Sequence, residues 1–324
     1  MDDGAKLCVR QWPDTGNSPD AKKIRGAVHI IHGMAEHAGR YERLAQKLCA
    51  EGFIVWAADQ RGHGRTADAS QNDPGKGGLL GYCGDADGFS RVTADIDIIN
   101  RRIRKAYPDV PLFLMGHSWG SFIAQNYIET YGGCFPGVSD PVRLAGCILS
   151  GTRGPAGVQA VLAQPVMSFI ALVKGSRKGS KLARFLADGS YNNPFKPNRT
   201  PFDWLSRDNA EVDAYNNDPL CGFLCSSGFY RDLVNGLKRI SRNEAFLRIR
   251  TDLPVYVFSG NQDPVGEMGE STTALVNIYR KTGISDLEFV LYPDARHEPL
   301  NETNRDEVTG NLLNWLLKHT IEKN

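Results

Sequence analysis

The chain of 324 residues carries 38 Lys and Arg against 37 Asp and Glu, and 41% of its residues are hydrophobic. This length suffices for one large domain with a sizeable core and an insertion. The nearly balanced charge excludes the basic footprint that binding of nucleic acid requires, and no apolar run approaches the length of a membrane span. The seven cysteines lack paired or metal-ligand spacing, and no secretory signal precedes them. We therefore expect a cytoplasmic protein without a metal or another cofactor.

Short apolar runs alternate with helical stretches along the chain. The runs span residues 27–31, 53–58, 112–115, 144–149, 255–258 and 287–291. Such alternation predicts an α/β fold with a mostly parallel central sheet and helices on both faces. Loops that carry catalytic or ligand-binding groups are expected beyond the carboxyl ends of these strands.

The first apolar run leads into a short loop of His32, Gly33 and Met34. A glycine in this loop permits close approach of the backbone, and the Met34 N–H is the natural donor to a negatively charged oxygen. Glu36 and Arg40 follow the loop, and we expect both at the polar end of a pocket.

The third apolar run continues into Gly-His-Ser-Trp-Gly at residues 116–120, and an apolar helical face follows. A tight turn between a strand and a helix lifts the Ser118 side chain clear of the backbone, and the two glycines avoid the clashes that Cβ atoms would cause. A serine in this place is typical of a nucleophile that a neighbouring base activates. We predict Ser118 as the nucleophile, with the Trp119 N–H as the second oxyanion donor beside Met34.

About a hundred residues separate the fourth and fifth apolar runs, far more than one crossover needs. We therefore predict a core of residues 1–150 and 251–324 with a helical cap inserted at 151–250. The cap contains an apolar run at 158–173 and a basic run at 174–181. One interpretation packs the apolar run against the core, with the basic run as its solvated edge. The other makes it the roof of an acyl-chain pocket that has weak peripheral contact with a membrane.

In this architecture the serine is followed along the chain by an acid and then by a histidine base. His297 follows the last apolar run and a turn, whereas His319 lies in an amphipathic C-terminal helix, so His297 is the predicted base. Asp263 follows the preceding apolar run and is the predicted acid. Asp294 and Glu298 are rivals because they lie close to His297 in sequence, but neither follows a strand of its own.

Three segments resemble the monoacylglycerol lipase and lysophospholipase branch of the α/β hydrolases. They are residues 32–41, residues 59–64 and the Gly-X-Ser-X-Gly segment at 116–120. The resemblance runs over the whole chain and implies the α/β-hydrolase fold. It also implies hydrolysis of an ester on a single acyl chain through an acyl-serine intermediate. The implied site residues are Ser118, Asp263 and His297 as the triad and Met34 and Trp119 as oxyanion donors.

The substrate is less narrowly implied, because this branch also resembles carboxylesterases and some peptidases. Gly33, Glu36, Arg40 and Leu300 are the candidate substrate-binding residues. For Glu36 and Arg40 the resemblance implies either a structural ion pair or a head-group contact. Leu300 offers no hydrogen bond, which weakens the expectation of selection for glycerol. A second departure, Ser121 where a glycine is common, is expected to affect helix packing only.

Three alternatives to a lipase on single-chain lipid esters remain open at this stage. A general small-ester carboxylesterase needs no change to the site. An aminopeptidase needs an acidic pair to hold an ammonium group, and Glu211 with Asp213 is the only candidate pair. A non-catalytic binding protein is disfavoured by the complete triad. The sequence leaves the oligomeric state open.

Overall fold

The computed structural model describes residues 1–13, 24–68, 70–85, 87–132 and 141–320, apart from the side chains of residues 157–160. Its strands are β1 (Val9–Trp12), β2 (Gly26–Ile31), β3 (Phe53–Ala58), β4 (Leu112–His117), β5 (Gly146–Ser150), β6 (Val255–Gly260) and β7 (Leu287–Tyr292). They form one sheet in the order β1-β3-β2-β4-β5-β6-β7, and only the β1–β3 pair is antiparallel. The predicted α/β fold with a mostly parallel sheet is confirmed.

The burial of the strands explains their sequences. Every residue of β2, β4, β5 and β6 is buried, as expected for strands that are covered on both faces. Sequence reasoning missed β1, a four-residue strand of sequence VRQW at the edge of the sheet. A segment this short and polar carries too little periodicity to be recognised as a strand.

Ten helices accompany the sheet in the described part of the chain: α1 (Glu42–Ala50), α2 (Gly88–Ala106), α3 (Trp119–Thr130), α4 (Gly157–Lys174), α5 (Lys181–Asp188), α6 (Asn209–Asn217), α7 (Ser227–Ile240), α8 (Asn243–Phe246), α9 (Glu270–Lys281) and α10 (Arg305–Lys318). Apolar side chains of α1 and α10 form one core with the sheet, and those of α2, α3 and α9 form a second. The two cores place helices on both faces, as the alternating pattern predicts.

Helices α4 to α8 all lie between β5 and β6 in the chain, where the cap was predicted. We call residues 151–250 the cap segment; its division from the core stays a prediction. Helix α7 packs against α2, α3 and α4, and thereby connects this segment to the second core. No helix in the described residues is both long enough and apolar enough to cross a membrane.

The parallel order determines where polar side chains meet. Gly33, Ser118, Asp263 and His297 follow the carboxyl ends of β2, β4, β6 and β7. Because parallel strands end at the same edge of a sheet, these loops converge beneath the cap segment.

Candidate active site

Ser118 lies in a strained turn between β4 and α3, with φ of 52° and ψ of −124°. The turn requires its two glycines. A Cβ at Gly116 would stand 2.3 Å from the Gly120 carbonyl oxygen, and a Cβ at Gly120 would stand 2.2 Å from the Ile31 carbonyl oxygen. Left-handed backbone at a residue other than glycine costs about 1–3 kcal/mol and persists only where the surroundings enforce it. Here the enforced turn holds the serine at the carboxyl end of β4.

The predicted base and acid are hydrogen-bonded to each other. His297 Nδ1 lies 2.9 Å from Asp263 Oδ1, and both side chains are buried. Asp263 is held in turn by the Ser259 hydroxyl at 2.7 Å and the Val265 N–H at 2.9 Å. The Nε2 atom of His297 is buried and has no partner among the described residues. The proton on Nδ1 leaves Nε2 as the nitrogen that can accept a proton.

The rivals of Asp263 have other environments. Asp294 is exposed, and its backbone N–H donates to the Asn261 side chain. Glu298 is buried, but both of its carboxylate oxygens accept hydrogen bonds from Arg40. His319, the rival of His297 as the base, is bonded to the Trp315 carbonyl oxygen. Among these candidates, the structure therefore brings only Asp263 to His297.

Electrostatics favour a charged acid and a strong base. Burial alone raises the pKa of Asp263 and lowers that of His297, but their mutual attraction and hydrogen bond outweigh burial in both cases. The pKa of Asp263 is consequently lowered and that of His297 raised. His117 lies beside His297, with 4.9 Å between ring centroids. Burial, and then the charge of His297, lowers the pKa of His117 to about 4, so it is neutral when His297 is charged.

The loop that carries Met34, the first predicted oxyanion donor, is fixed on both sides of Gly33. Its N–H donates to the buried Glu36 carboxylate. Its carbonyl oxygen lies 2.7 Å from His32 Nδ1, while His32 Nε2 accepts the Gln60 N–H at 2.9 Å. A nitrogen that accepts from a backbone N–H carries no proton, so Nδ1 is the protonated nitrogen and donates to Gly33.

This arrangement orients the neighbouring peptide. The Gly33 carbonyl and the Met34 N–H belong to one planar trans peptide and point in opposite directions. Because His32 holds the carbonyl, the Met34 N–H faces away from His32. Neither this N–H nor that of Trp119 donates to another described residue. Two unused donors beside a serine are what an oxyanion hole requires.

Glu36 and Arg40 belong to a saturated network. Arg40 donates to Glu36 at 2.6 Å and to both oxygens of Glu298 at 2.7 and 2.8 Å, and the Tyr41 hydroxyl donates to Glu36 at 2.9 Å. These groups are buried and use their hydrogen-bonding capacity on one another. Of the two roles left open by the sequence, the contacts favour the structural ion pair over direct contact with substrate.

A pocket surrounds Ser118 and His297, with about 480 Å³ of space that includes open solvent. Its remaining lining residues are Gly33, Met34, Ala35, Glu36, His117, Arg184, Asp188, Phe202, Trp204, Leu205, Tyr215, Gly222, Phe223, Tyr230 and Glu298. Arg40 and Leu300 instead line a neighbouring cavity of about 330 Å³, together with Glu36 and His117. The structure thus brings most of the predicted site residues to one pocket and places Arg40 and Leu300 behind it.

Sequence reasoning missed several residues of this pocket. Trp204 packs its ring 4.9 Å from that of His297, and Arg184 and Asp188 come from α5. Only the spacing of four between the last two, on one helical face, signals a joint role. The acidic pair that an aminopeptidase would use, Glu211 and Asp213, does not line the pocket.

Three potential metal ligands, His37, Asp218 and Cys221, lie within 4.8 Å of one another. His37 Nδ1 accepts the Gly39 N–H, which leaves the proton on Nε2, and Nε2 lies 2.9 Å from Asp218 Oδ2. Burial raises the pKa of the Cys221 thiol, which disfavours the thiolate that a metal binds. We therefore assign this group a hydrogen-bonding role.

Comparison with known proteins identifies the family. Residues 22–304 match the α/β-hydrolase family model described as serine aminopeptidase, S33. The chain belongs to this family. It is 28% identical to a monoacylglycerol lipase of Mycolicibacterium smegmatis, over 98% of this chain and 94% of the relative. It is 27% identical to the monoglyceride lipase of Rattus norvegicus, over 98% of this chain and 89% of the relative.

Solved structures agree with this relationship. A thermostable carboxyl esterase from Bacillus coagulans, solved in complex with glycerol, superposes with a TM-score of 0.84 at 29% identity. The match covers 98% of this chain and 96% of the esterase. The predicted family is thereby confirmed. This chain is a serine hydrolase of the α/β-hydrolase family, related to monoglyceride lipases and to esterases.

Proposed function

We propose that this α/β hydrolase cleaves carboxylic esters of single-chain acyl lipids, of the monoacylglycerol or lysophospholipid type. The observation that carries the proposal is the hydrogen-bonded Asp263–His297 pair in one pocket with Ser118 and two unused backbone donors. These are the parts that acyl transfer through a serine requires.

In the proposed reaction, His297 Nε2 takes the proton of Ser118 as Oγ attacks the ester carbonyl carbon. The Met34 and Trp119 N–H groups bind the resulting oxyanion. His297 then returns the proton to the leaving alcohol, which produces an acyl-serine, and water repeats the sequence to release the acid. Asp263 holds His297 in the required tautomer and stabilises the imidazolium.

The chemistry of the pocket wall supports an apolar acyl group. Aromatic and aliphatic side chains from the cap segment form much of it, including Phe202, Trp204, Leu205 and Phe223. Each methylene buried there contributes about 0.8 kcal/mol, close to fourfold in transition-state binding. A small-ester carboxylesterase would show this increase only over the first few carbons.

The test compares substrates and a nucleophile variant. Purified protein is assayed on p-nitrophenyl esters from acetate to laurate, beside an aminoacyl anilide, and Ser118→Ala is assayed in parallel. We expect kcat/KM to rise with chain length until the pocket is full, and Ser118→Ala to abolish both turnover and labelling by a fluorophosphonate. A rise that stops after the first few carbons, or a flat profile, favours a general esterase, and preference for the anilide favours an aminopeptidase.

Two contacts weigh against the aminopeptidase. Glu211 pairs with Arg43 at 2.6 Å, and Asp213 pairs with Arg199. With their charges compensated by arginines outside the pocket, neither carboxylate is available for a substrate ammonium group.

We also propose that the outer face of the cap segment contacts lipid surfaces. Most of the exposed large apolar side chains in the described residues belong to α4 and α5: Val161, Leu162, Val166, Phe169, Leu172, Val173, Leu182, Phe185 and Leu186. The segment from the end of α4 to the start of α5 carries the exposed cations Lys174, Lys178 and Lys181, and Arg177 in this segment pairs with Asp85. An apolar surface bordered by cations is complementary to an anionic membrane.

A further inference from the structure

Helix α5 has its polarity reversed relative to an ordinary surface helix. Its apolar side chains Leu182, Phe185 and Leu186 are 56%, 70% and 51% exposed. Two of its three charged residues, Arg184 and Asp188, instead line the pocket that contains Ser118, whereas Lys181 is exposed. A helix that covers a purely apolar tunnel would direct the opposite face inward. The position of Arg184 and Asp188 at the pocket therefore suggests that they bind a polar group there.

Arg184 and Asp188 have few close hydrogen-bond partners among the described residues. Arg184 Nε and Asp188 Oδ1 are 3.9 Å apart, beyond hydrogen-bond distance. The other contacts of the Arg184 guanidinium are a long one of 3.4 Å to the Gly222 carbonyl oxygen and the Phe202 ring at 5.5 Å. No other described residue donates a hydrogen bond to the Asp188 carboxylate; 13% of the Asp188 side chain and 32% of the Arg184 side chain are exposed.

The nearby Arg40 shows what a structural ion pair looks like in this protein. It lies within 2.8 Å of two carboxylates, and the network leaves no acceptor unused. Burial raises the pKa of Asp188 to about 6 even though Arg184 acts in the opposite direction. A largely buried carboxyl without a close protein partner bonds either water or a ligand.

We propose that Arg184 and Asp188 form a polar subsite that binds a hydroxyl group of the ester substrate. One oxygen atom can bond both Arg184 Nε and Asp188 Oδ1, which are 3.9 Å apart. If that oxygen lies about 2.8 Å from each, the angle at the oxygen is roughly 90°, within the range of a hydroxyl that donates to Asp188 and accepts from Arg184. An ammonium group would be repelled by Arg184 and a carboxylate by Asp188. A neutral hydroxyl satisfies both groups, and its source is either the alcohol or the acyl chain.

This inference rests on the proposed ester hydrolysis, and the test separates the two. Propyl hexanoate is compared with 2,3-dihydroxypropyl hexanoate, which has hydroxyls on the alcohol, and with propyl 6-hydroxyhexanoate, which has one on the acyl chain. A site built to bind a hydroxyl discriminates strongly against the analogue that lacks it. In a partly exposed pocket we expect one hydroxylated ester to exceed propyl hexanoate in kcat/KM by about 10- to 100-fold.

The variants replace each charge by an apolar side chain of similar size, as Asp188→Leu and Arg184→Met. Each should reduce the hydroxyl preference to within about twofold of unity, since either change removes one of the two partners. Asp213→Asn, in an exposed ion pair with Arg199 on the cap segment, is the matched control and should retain the preference. Asp188→Ala, which also lacks an acceptor, replaces Asp188→Leu if the latter does not fold, with thermal unfolding as the check.

Which hydroxylated ester is preferred identifies the source of the hydroxyl. Equal rates for all three esters, or a preference that both variants retain, would overturn the subsite. Failure of the wild-type protein to hydrolyse any of the three would instead refute ester hydrolysis itself. The rate of Ser118 labelling by a fluorophosphonate shows that each variant keeps a reactive serine.

Discussion

Two substitutions at His32 test whether its hydrogen bonds orient the N–H of Met34, the predicted oxyanion donor. His32 makes two hydrogen bonds, from Nδ1 to the Gly33 carbonyl and at Nε2 from the Gln60 N–H. In His32→Asn the side-chain amide nitrogen occupies the position of Nδ1 and keeps the bond to Gly33. In His32→Gln the side-chain amide reaches the position of Nε2 and keeps the bond from Gln60. Each variant therefore loses one buried hydrogen bond, but only His32→Gln releases the Gly33 carbonyl.

The magnitude follows from the peptide that His32 orients. A buried carbonyl left without its donor costs about 1–3 kcal/mol, so the orientation that presents the Met34 N–H loses a factor of about 5 to 150 in population. The loss cannot exceed that of a whole oxyanion donor, about 10²- to 10³-fold in kcat. We expect His32→Gln to lower kcat by about 5- to 150-fold with little change in KM, and His32→Asn to lower it by less than about fivefold.

The assay is steady-state hydrolysis of p-nitrophenyl butyrate, with thermal unfolding as the control for stability. Because each variant loses one buried hydrogen bond, their unfolding temperatures should fall by similar amounts. Equal losses of kcat in the two variants would show that His32 supports the fold and does not orient the Met34 N–H.

Three further predictions address the base, the core and the cap. Asp263→Asn should lower turnover by about ten-thousandfold. It should also shift the acidic limb of the pH–rate profile to lower pH, because the charge that raises the pKa of His297 is lost. Among the described residues, Glu129 is buried with neither carboxylate oxygen hydrogen-bonded, and burial raises its pKa, so stability should fall as pH rises above 4.5. Glu129→Leu should then add about 1–3 kcal/mol to the free energy of unfolding at pH 7.5 and less at pH 4.5, and an unchanged urea midpoint would contradict this. Leu172→Ser should weaken sedimentation with anionic vesicles by about tenfold. Leu247→Ser, which changes an exposed leucine outside α4 and α5, should not, and equal effects would locate lipid contact elsewhere.

The sequence determined the scaffold and the candidate triad because both depend on local patterns. Buried parallel strands are continuous apolar runs, and the turn at Ser118 needs glycines at fixed positions, so each is visible in a short window. The order serine, acid, histidine then selected Asp263 and His297, and the structure places these two side chains 2.9 Å apart. The edge strand β1 lacked any such pattern.

The surroundings of the candidate triad depend on tertiary packing. Whether Glu36 and Arg40 contact substrate or each other depends on Glu298, which lies 258 residues beyond Arg40 in the chain. Whether Arg184 and Asp188 face solvent or the pocket depends on how α5 packs against α7. Such partners are close in space but distant in sequence, and the hydrogen bonds that assign their roles exist only after the core and the cap segment have packed together.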